Sequence, residues 1–170
     1  RVITLAARGT AFCAGADLHW MKKMASHTDV ENLADATTLA EMMRVIYCCS
    51  KPVVARVQGD CYAGGIGLVA ACDVVVASES AGFCLSEVRL GLIPATISPY
   101  VIRAIGERQA RRYFLTAERF DAHEAKRIGL IHHAVEDSQL DHHVAGVVHA
   151  LLSCSPDRKS TRLNSSHTDI

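Results

Sequence analysis

Short apolar runs alternate with stretches of helical periodicity along the chain. The β-branched runs predict buried strands, and apolar positions that recur from residue 30 to residue 49 predict a helix that Ser50-Lys51-Pro52 ends. The predicted strands are 2–7, 53–57, 73–77, 83–85 and 130–135, and the later helices are 98–105, 107–115, a capped helix from Asp121 to Gly129, and an amphipathic helix from Leu140 to Leu151. This alternation predicts an α/β fold with a parallel sheet.

The last residues have a different character. Residues 157–170, DRKSTRLNSSHTDI, contain two large apolar residues and show no periodicity. We interpret this segment as a disordered tail or as translated vector sequence, and residues 1–156 as the folded core. The chain opens within a predicted strand and without Met, so we expect further sequence upstream.

Charge and composition exclude several classes of function. Eighteen basic and eighteen acidic residues give a net charge of zero, which argues against a nucleic-acid or membrane-surface binder. No apolar run reaches the roughly 20 residues that a membrane span needs. Seven cysteines occur without a C-x-x-C pair, so we expect small buried thiols in a reducing, cytoplasmic compartment rather than disulfides or zinc.

Two pairs of adjacent histidines are candidate metal ligands. They are His132-His133 and His142-His143. Neighbouring side chains on a strand or a helix point apart, so neither pair presents two ligands on one face. We therefore predict no metal site.

Two loops rich in small residues each follow a predicted strand, at residues 12–18 and 61–67. Ligands of open α/β sheets bind beyond the carboxyl ends of strands, and two converging backbone N–H groups there would form an oxyanion hole. The glycines are equally compatible with tight turns and close helix packing. The second loop lacks the G-x-G-x-x-G pattern, and the chain lacks G-K-[ST], which disfavours dinucleotide and phosphate-loop sites.

Four segments, in this order, resemble the crotonase (enoyl-CoA hydratase/isomerase) superfamily. They are AFCAGADL, SKPVVARVQGDCYAGGIGLVAACDVVVAS, FCLSEVRLGLIP and RRYFLTAERFDAHEAKRIGLIHHAV, and together with their spacing they cover about residues 1–153. The resemblance implies a crotonase-like spiral of βα units, truncated at both ends. It also implies a homotrimer or hexamer in the full-length protein.

The resemblance assigns roles to individual residues. The backbone N–H groups of Ala16 and Gly64 correspond to the family's oxyanion hole, and Glu87 corresponds to a catalytic acid/base. The remaining predicted substrate-binding residues are Ala14, Asp17, Leu18, Tyr62, Ala63, Gly65 and Pro94. No cofactor is implied, because coenzyme A is part of the substrate.

The resemblance implies a hydratase, with one departure. The family's first glutamate corresponds to Gly67, which leaves open an enoyl-CoA isomerase with one carboxylate, and a non-catalytic acyl-CoA-binding or scaffold member is a third reading. The segment LGLIPATISPY resembles bacterial methylglutaconyl-CoA and γ-carboxygeranoyl-CoA hydratases, which implies a branched or carboxylated enoyl-CoA.

A carboxylated substrate needs a cationic or hydrogen-bonding partner. On an extended segment Arg89 would point to the same side as Glu87 and could pair with the substrate carboxylate, with Tyr100 and His19 as alternative donors. The other interpretation is that Arg89 neutralises a nearby acidic side chain.

Overall fold

Residues 1–24 and 26–154 are described by the structure, a computed structural model. The strands are β1 (Ile3–Ala6), β2 (Val53–Val57), β3 (Cys61–Tyr62), β4 (Val74–Ser78), β5 (Gly82–Cys84), β6 (Phe120–Asp121) and β7 (His133–Val135). The α-helices are α1 (Leu18–Met24), α2 (Asp29–Tyr47), α3 (Gly64–Ala71), α4 (Ser98–Thr116), α5 (Ala122–Arg127) and α6 (Leu140–Ser153). Two 3-10 helices span Glu87–Leu90 and Asp137–Gln139. The predicted boundary between folded core and tail lies outside the described residues.

Two small sheets form the framework. The first is parallel with the order β1-β2-β4-β7, and the second has the order β3-β5-β6, in which β3 and β5 are parallel and β6 is antiparallel. After β2 and again after β4, the chain turns a corner, adds a short strand to the second sheet and enters a helical segment. The predicted α/β class with a parallel sheet is therefore confirmed, and the second sheet is an addition to it.

The central strands β2 and β4 bury both of their faces. Val54 and Val76 pack on one side with Leu140 and Val144 of α6. The alternate residues of both strands point to the other side, where α3 and α4 contribute to the larger core. Burial on both faces explains why these strands are largely apolar, with Arg56 of β2 and Ser78 of β4 as the exceptions.

Three expectations are corrected by the structure. The strand β1 is not buried, because it lies at the edge of its sheet, and Ile3 is 45% exposed. The first half of α2 is also largely exposed, including Leu33 on the predicted apolar stripe. The predicted final strand is shorter at its start, because Leu130 and Ile131 donate backbone hydrogen bonds to the end of α5.

The helix predictions near the end of the chain hold. Gly106 has φ 77° and ψ 155°, which kinks α4 into the two predicted halves. The Asp121 side chain caps α5 by accepting from the Glu124 N–H at 2.8 Å.

None of the helices in residues 1–24 and 26–154 is long and apolar enough to cross a bilayer. All seven cysteines are free thiols.

Candidate active site

Three neighbouring parallel segments of the second sheet run in the same direction. Cys13 forms an isolated parallel bridge with Cys61 of β3, and Cys61 is in parallel register with Phe83 of β5. The bond from Tyr62 N–H to the Cys13 carbonyl, 2.8 Å long, fastens the first segment to the second. The loops that follow these three segments therefore all leave the sheet at the carboxyl ends of its parallel strands.

The three predicted catalytic positions lie in the loops that leave these carboxyl ends. Ala16 comes three residues after Cys13, Gly64 comes three residues after Cys61, and Glu87 follows the end of β5 by three residues. Carboxyl ends of parallel strands are where ligands bind in α/β proteins. The topology thus brings the two backbone N–H groups and the carboxylate to the same end of the sheet.

A strained turn at Ala63 sets the direction of the Gly64 N–H. Ala63 has φ 49° and ψ −123°; its N–H donates to the Cys84 carbonyl, and its carbonyl accepts from Ile66 N–H, both at 2.9 Å. In a planar trans peptide the carbonyl and the following N–H point in opposite directions. The Gly64 N–H is consequently turned away from α3, and no acceptor for it occurs within residues 1–24 and 26–154.

Gly64 has open space around its Cα. A Cβ there would meet no atom within 4 Å, and its φ is not positive. The fold therefore does not require glycine at this position, although glycine costs up to about 1 kcal/mol in a helix relative to alanine. Gly65 differs, because its Cβ would lie 2.5 Å from the Cys13 Cβ and 3.2 Å from the Cys61 Sγ. Close packing explains the glycine at position 65. At position 64 the glycine instead leaves the backbone N–H open to an approaching ligand.

The loop that carries Ala16 is exposed. Ala14 and Ala16 both face solvent, and Gly15 between them has φ 101°. A left-handed residue at this point turns the chain between the Cys13 bridge and α1. The N–H of Ala16 has no acceptor in the part of the chain that the structure describes.

Asp17 and Leu18 begin α1. The Asp17 Oδ1 accepts from the N–H groups of His19 at 2.7 Å and Trp20 at 3.0 Å, the pattern of a helix N-cap. This capping bond accounts for Asp17 without a ligand. The predicted contact of Asp17 and Leu18 with coenzyme A stays a prediction.

Glu87 carries a half-buried carboxylate with one oxygen shielded from solvent. It opens the 3-10 helix and is half-buried, and its Oε2 is shielded from solvent without a hydrogen-bond partner among the described residues. Burial raises the pKa of Glu87 above its ordinary value of 4.5. A carboxylate of this kind is suited to exchange a proton with a bound molecule.

The structure contradicts the expectation for Arg89. Residues 87–90 form a 3-10 helix, not an extended segment, so residues two apart point in different directions. Arg89 donates to the carbonyl of Ala117 at 2.7 Å, at the left-handed end of α4. Arg89 therefore braces the end of α4 in this structure. The premise of an extended segment is wrong, and the pairing of Arg89 with a substrate carboxylate stays a prediction.

Gly67 is closed off by neighbouring side chains. A Cβ at Gly67 would lie 2.2 Å from the Ile97 Cγ2 and 3.2 Å from the Met43 Cε. A glutamate cannot occupy this position unless Ile97, which directly precedes α4, is displaced. The Ile97 side chain therefore fills the space that a side chain at position 67 would need.

Two further predicted binding residues, Pro94 and Tyr62, make hydrogen bonds within the chain. Pro94 is half-buried, and its carbonyl accepts from Ser98 N–H at 2.9 Å, where α4 begins. Tyr62 directs its hydroxyl to the Asp60 Oδ2 at 2.6 Å. Asp60 also binds Arg119, and sequence reasoning missed both of these residues. No motif or spacing marks them, because they are 59 positions apart and meet only in the fold.

The histidine pairs do not assemble a metal site. The His132 Nδ1 accepts from Val75 N–H at 3.0 Å, and the His133 ring lies 4.5 Å from the His143 ring. Within residues 1–24 and 26–154, no group of three or more His, Cys, Asp or Glu side chains is arranged to hold a metal ion.

Known proteins resemble this chain over nearly its whole length. The profile of the Enoyl-CoA hydratase/isomerase family matches residues 1–168. A crystal structure of an enoyl-CoA hydratase from Shewanella pealeana superposes with a TM-score of 0.92 at 48% identity, covering 97% of this chain and 62% of that one. The predicted crotonase-like fold is thereby confirmed.

Two curated relatives add to this comparison. Mevalonyl-coenzyme A hydratase sidH of Aspergillus fumigatus is 35% identical over 98% of this chain and 61% of its own length. Enoyl-CoA hydratase ACTT6 of Alternaria alternata is 32% identical over 99% of this chain and 58% of its own. The chain spans about half the length of the curated relatives it matches, from 44% to 61%. By sequence and by fold, the chain belongs to the enoyl-CoA hydratase/isomerase family.

Proposed function

We propose that the protein is an enoyl-CoA hydratase that adds water to, or removes it from, an acyl-CoA thioester. The Glu87 carboxylate, with one oxygen shielded from solvent and unpartnered among the described residues, is the observation that carries this proposal. It follows the same carboxyl end of the second sheet as two backbone N–H groups that have no acceptor within residues 1–24 and 26–154. An enolate mechanism needs these two functions side by side.

The proposed reaction uses one carboxylate for both proton transfers. The thioester oxygen accepts hydrogen bonds from the N–H groups of Ala16 and Gly64, which stabilise the negative charge of the enolate. Glu87 takes a proton from water while the hydroxide oxygen bonds to C3, and it then delivers this proton to C2. Glu87 returns to its starting state, and no redox partner or cofactor takes part.

An enoyl-CoA isomerase is the second candidate, and the closed surroundings of Gly67 favour it. A single carboxylate suffices to move a proton between two carbons, whereas two-glutamate hydration has no room at Gly67. A non-catalytic acyl-CoA-binding member, the third candidate, has no need for a shielded carboxylate with a raised pKa.

A branched substrate is the finer part of the proposal. Support comes from the segment LGLIPATISPY and from similarity to a relative named for mevalonyl-CoA, whose acyl group is branched at C3. We propose 3-methylglutaconyl-CoA as a representative substrate, and a homotrimer or hexamer as the state of the whole protein. Nucleic acid, membranes and cofactors have no part in this function.

Product analysis tests the assignment. The protein is incubated separately with crotonyl-CoA, a 3-enoyl-CoA and 3-methylglutaconyl-CoA, and the products are separated by chromatography. Hydroxyacyl-CoA from the first or third thioester supports a hydratase, with the third turned over fastest. Conversion of the 3-enoyl-CoA to the 2-enoyl-CoA without hydration would establish the isomerase, and binding without any product would establish a non-catalytic protein.

A further inference from the structure

The backbone at Ala63 requires a restraint. A residue with a side chain rarely adopts φ 49° with ψ −123°, and such conformations persist only where the surroundings over-determine them. Rotation of the peptide between Ala63 and Gly64 would turn the Gly64 N–H away from its present direction. The proposed function depends on that direction, so the groups that hold Ala63 are candidates for positioning residues.

A charged cluster lies directly before this turn. The Asp60 carboxylate accepts from the Tyr62 hydroxyl at 2.6 Å, from the Arg119 guanidinium at 2.7 Å and from Gly82 N–H at 3.0 Å. The Arg119 guanidinium carbon also lies 6.0 Å from the centre of the Tyr62 ring. The hydrogen bond to Asp60 raises the pKa of Tyr62. Three separate segments of the chain therefore meet on one carboxylate.

The fold reserves space for this cluster at Gly82. A Cβ on Gly82 would lie 2.5 Å from the Arg119 Nε and 2.7 Å from the Asp60 Oδ1. The φ of Gly82 is not positive, so backbone conformation does not explain the glycine. A side chain at Gly82 would therefore require Arg119 or Asp60 to shift from its present position.

Tyr62 connects the cluster to the strained turn. Its N–H donates to the Cys13 carbonyl at 2.8 Å and its hydroxyl to Asp60, so both ends of the residue are held. Ala63 follows directly, with its own N–H held by Cys84 at 2.9 Å. We propose that Tyr62, Asp60 and Arg119 form a clamp that positions the Gly64 N–H through Ala63. In this proposal they are positioning residues, because they act on the Gly64 N–H through the backbone, whereas the predicted contact of Tyr62 with substrate stays a separate prediction.

The proposal rests on the proposed function, and its test separates the two. The probe is 4-dimethylaminocinnamoyl-CoA, whose absorption band shifts to longer wavelength when hydrogen bonds polarise its thioester carbonyl. Tyr62→Phe removes only the hydroxyl that binds Asp60. We expect a smaller shift of the bound probe and a kcat that falls by about 10-fold to 100-fold, as expected for a displaced group, while KM changes by less than about 2-fold.

The chain offers a matched control. Tyr113 donates its hydroxyl to the Glu124 Oε1 at 2.7 Å, beside Arg127, in a similar cluster that does not touch Ala63. Tyr113→Phe loses the same kind of bond and should leave both the spectral shift and kcat at the wild-type values. Arg119→Met gives a second test on a side chain that is 60% exposed and whose replacement leaves the core intact. It should reduce the spectral shift in the same direction.

The outcomes are distinct. A reduced shift in Tyr62→Phe and Arg119→Met, with a wild-type shift in Tyr113→Phe, supports the clamp. A full shift and wild-type kcat in both clamp variants would overturn the clamp alone. A wild-type protein that binds the probe without any shift would overturn the proposed oxyanion hole and the clamp with it. Equal losses in Tyr113→Phe and Tyr62→Phe would also overturn the clamp, because they would reflect general stability.

Discussion

Two residues of the candidate site violate ordinary rules of folded proteins. Ala63 occupies a conformation that favours glycine, and Glu87 shields a carboxylate oxygen without a partner. Backbone strain of the kind at Ala63 costs about 1–3 kcal/mol. Burying a polar oxygen without a hydrogen bond is also unfavourable. Departures of this kind concentrate at functional sites. Both follow the carboxyl ends of parallel strands in the second sheet, where ligands bind in α/β proteins.

Glu87 should set the acid limb of the pH profile. Its folded pKa is raised by burial, and its unprotonated form accepts the proton, so kcat/KM should fall as pH drops through a value above 4.5. The stability of the fold changes with pH in the opposite direction to kcat/KM. Because burial favours the protonated form of Glu87, the stability that is present at low pH is lost as pH rises through the raised pKa. Glu87→Gln should therefore raise Tm more at pH 8 than at pH 4.

The control for this pH dependence is an exposed glutamate of α4. Glu107→Gln should leave the kcat/KM profile and both Tm values as in the wild type. Differential scanning calorimetry at the two pH values, together with initial rates across the pH range, supplies the data. An acid limb at or below 4.5, or a Tm gain in Glu87→Gln that is larger at pH 4, would contradict the burial of Glu87.

At the scale of elements, α3 is the part of the site that sequence predicts least well. Its glycines indicate a loop up to about residue 67, yet the helix begins at Gly64. Low helix propensity is overridden because Gly65 and Gly67 allow close approach to Cys13 and Ile97. Propensity describes a chain in isolation, whereas these glycines are selected by neighbours from distant segments.

Alanine substitutions separate the two kinds of glycine in α3. Gly67→Ala places a Cβ 2.2 Å from the Ile97 Cγ2 and should cost about 1–3 kcal/mol, as overpacking does. Gly64→Ala meets no atom within 4 Å and should leave Tm unchanged or slightly raised. Thermal unfolding followed by circular dichroism measures both. A Tm loss in Gly64→Ala as large as that in Gly67→Ala would contradict the open surroundings of Gly64.

At the scale of the whole molecule, the sequence predicts the main parallel sheet and its helices better than the short second sheet and the contacts between distant segments. Apolar runs and intervening helices indicate the parallel sheet, because most residues of β2 and β4 are buried and apolar. The second sheet leaves almost no pattern, since its strands are two or three residues long. The resemblance to a family supplied Ala16, Gly64 and Glu87, but the Asp60–Arg119 pair depends on contacts that only the fold creates.

The docking of α6 on the first sheet should depend on pH. His133 of β7 lies against the ring of His143 of α6, and burial, then His143, His132 and Lys126, lower the pKa of His133 below 6.5. A depressed folded pKa means that stability present above pH 6.5 is lost as pH falls through the lower value. His143→Gln should therefore show a smaller decrease in Tm between pH 7.5 and pH 5 than the wild type.

An exposed histidine on the same helix provides the comparison. His149→Gln should keep the wild-type decrease in Tm, because His149 faces solvent. Equal decreases in His143→Gln, His149→Gln and the wild type would show that the His133–His143 contact does not govern this pH dependence.

The most direct test of the central claim is the rate of hydration with and without the Glu87 carboxylate. Wild type and Glu87→Gln are compared at equal concentration with crotonyl-CoA and 3-methylglutaconyl-CoA, following the loss of enoyl-thioester absorbance. Glutamine keeps the size of the side chain but cannot accept the proton, so kcat should fall about 10²–10⁴-fold while binding of the thioester is largely kept. A Glu87→Gln protein that hydrates either thioester at the wild-type rate would contradict the account.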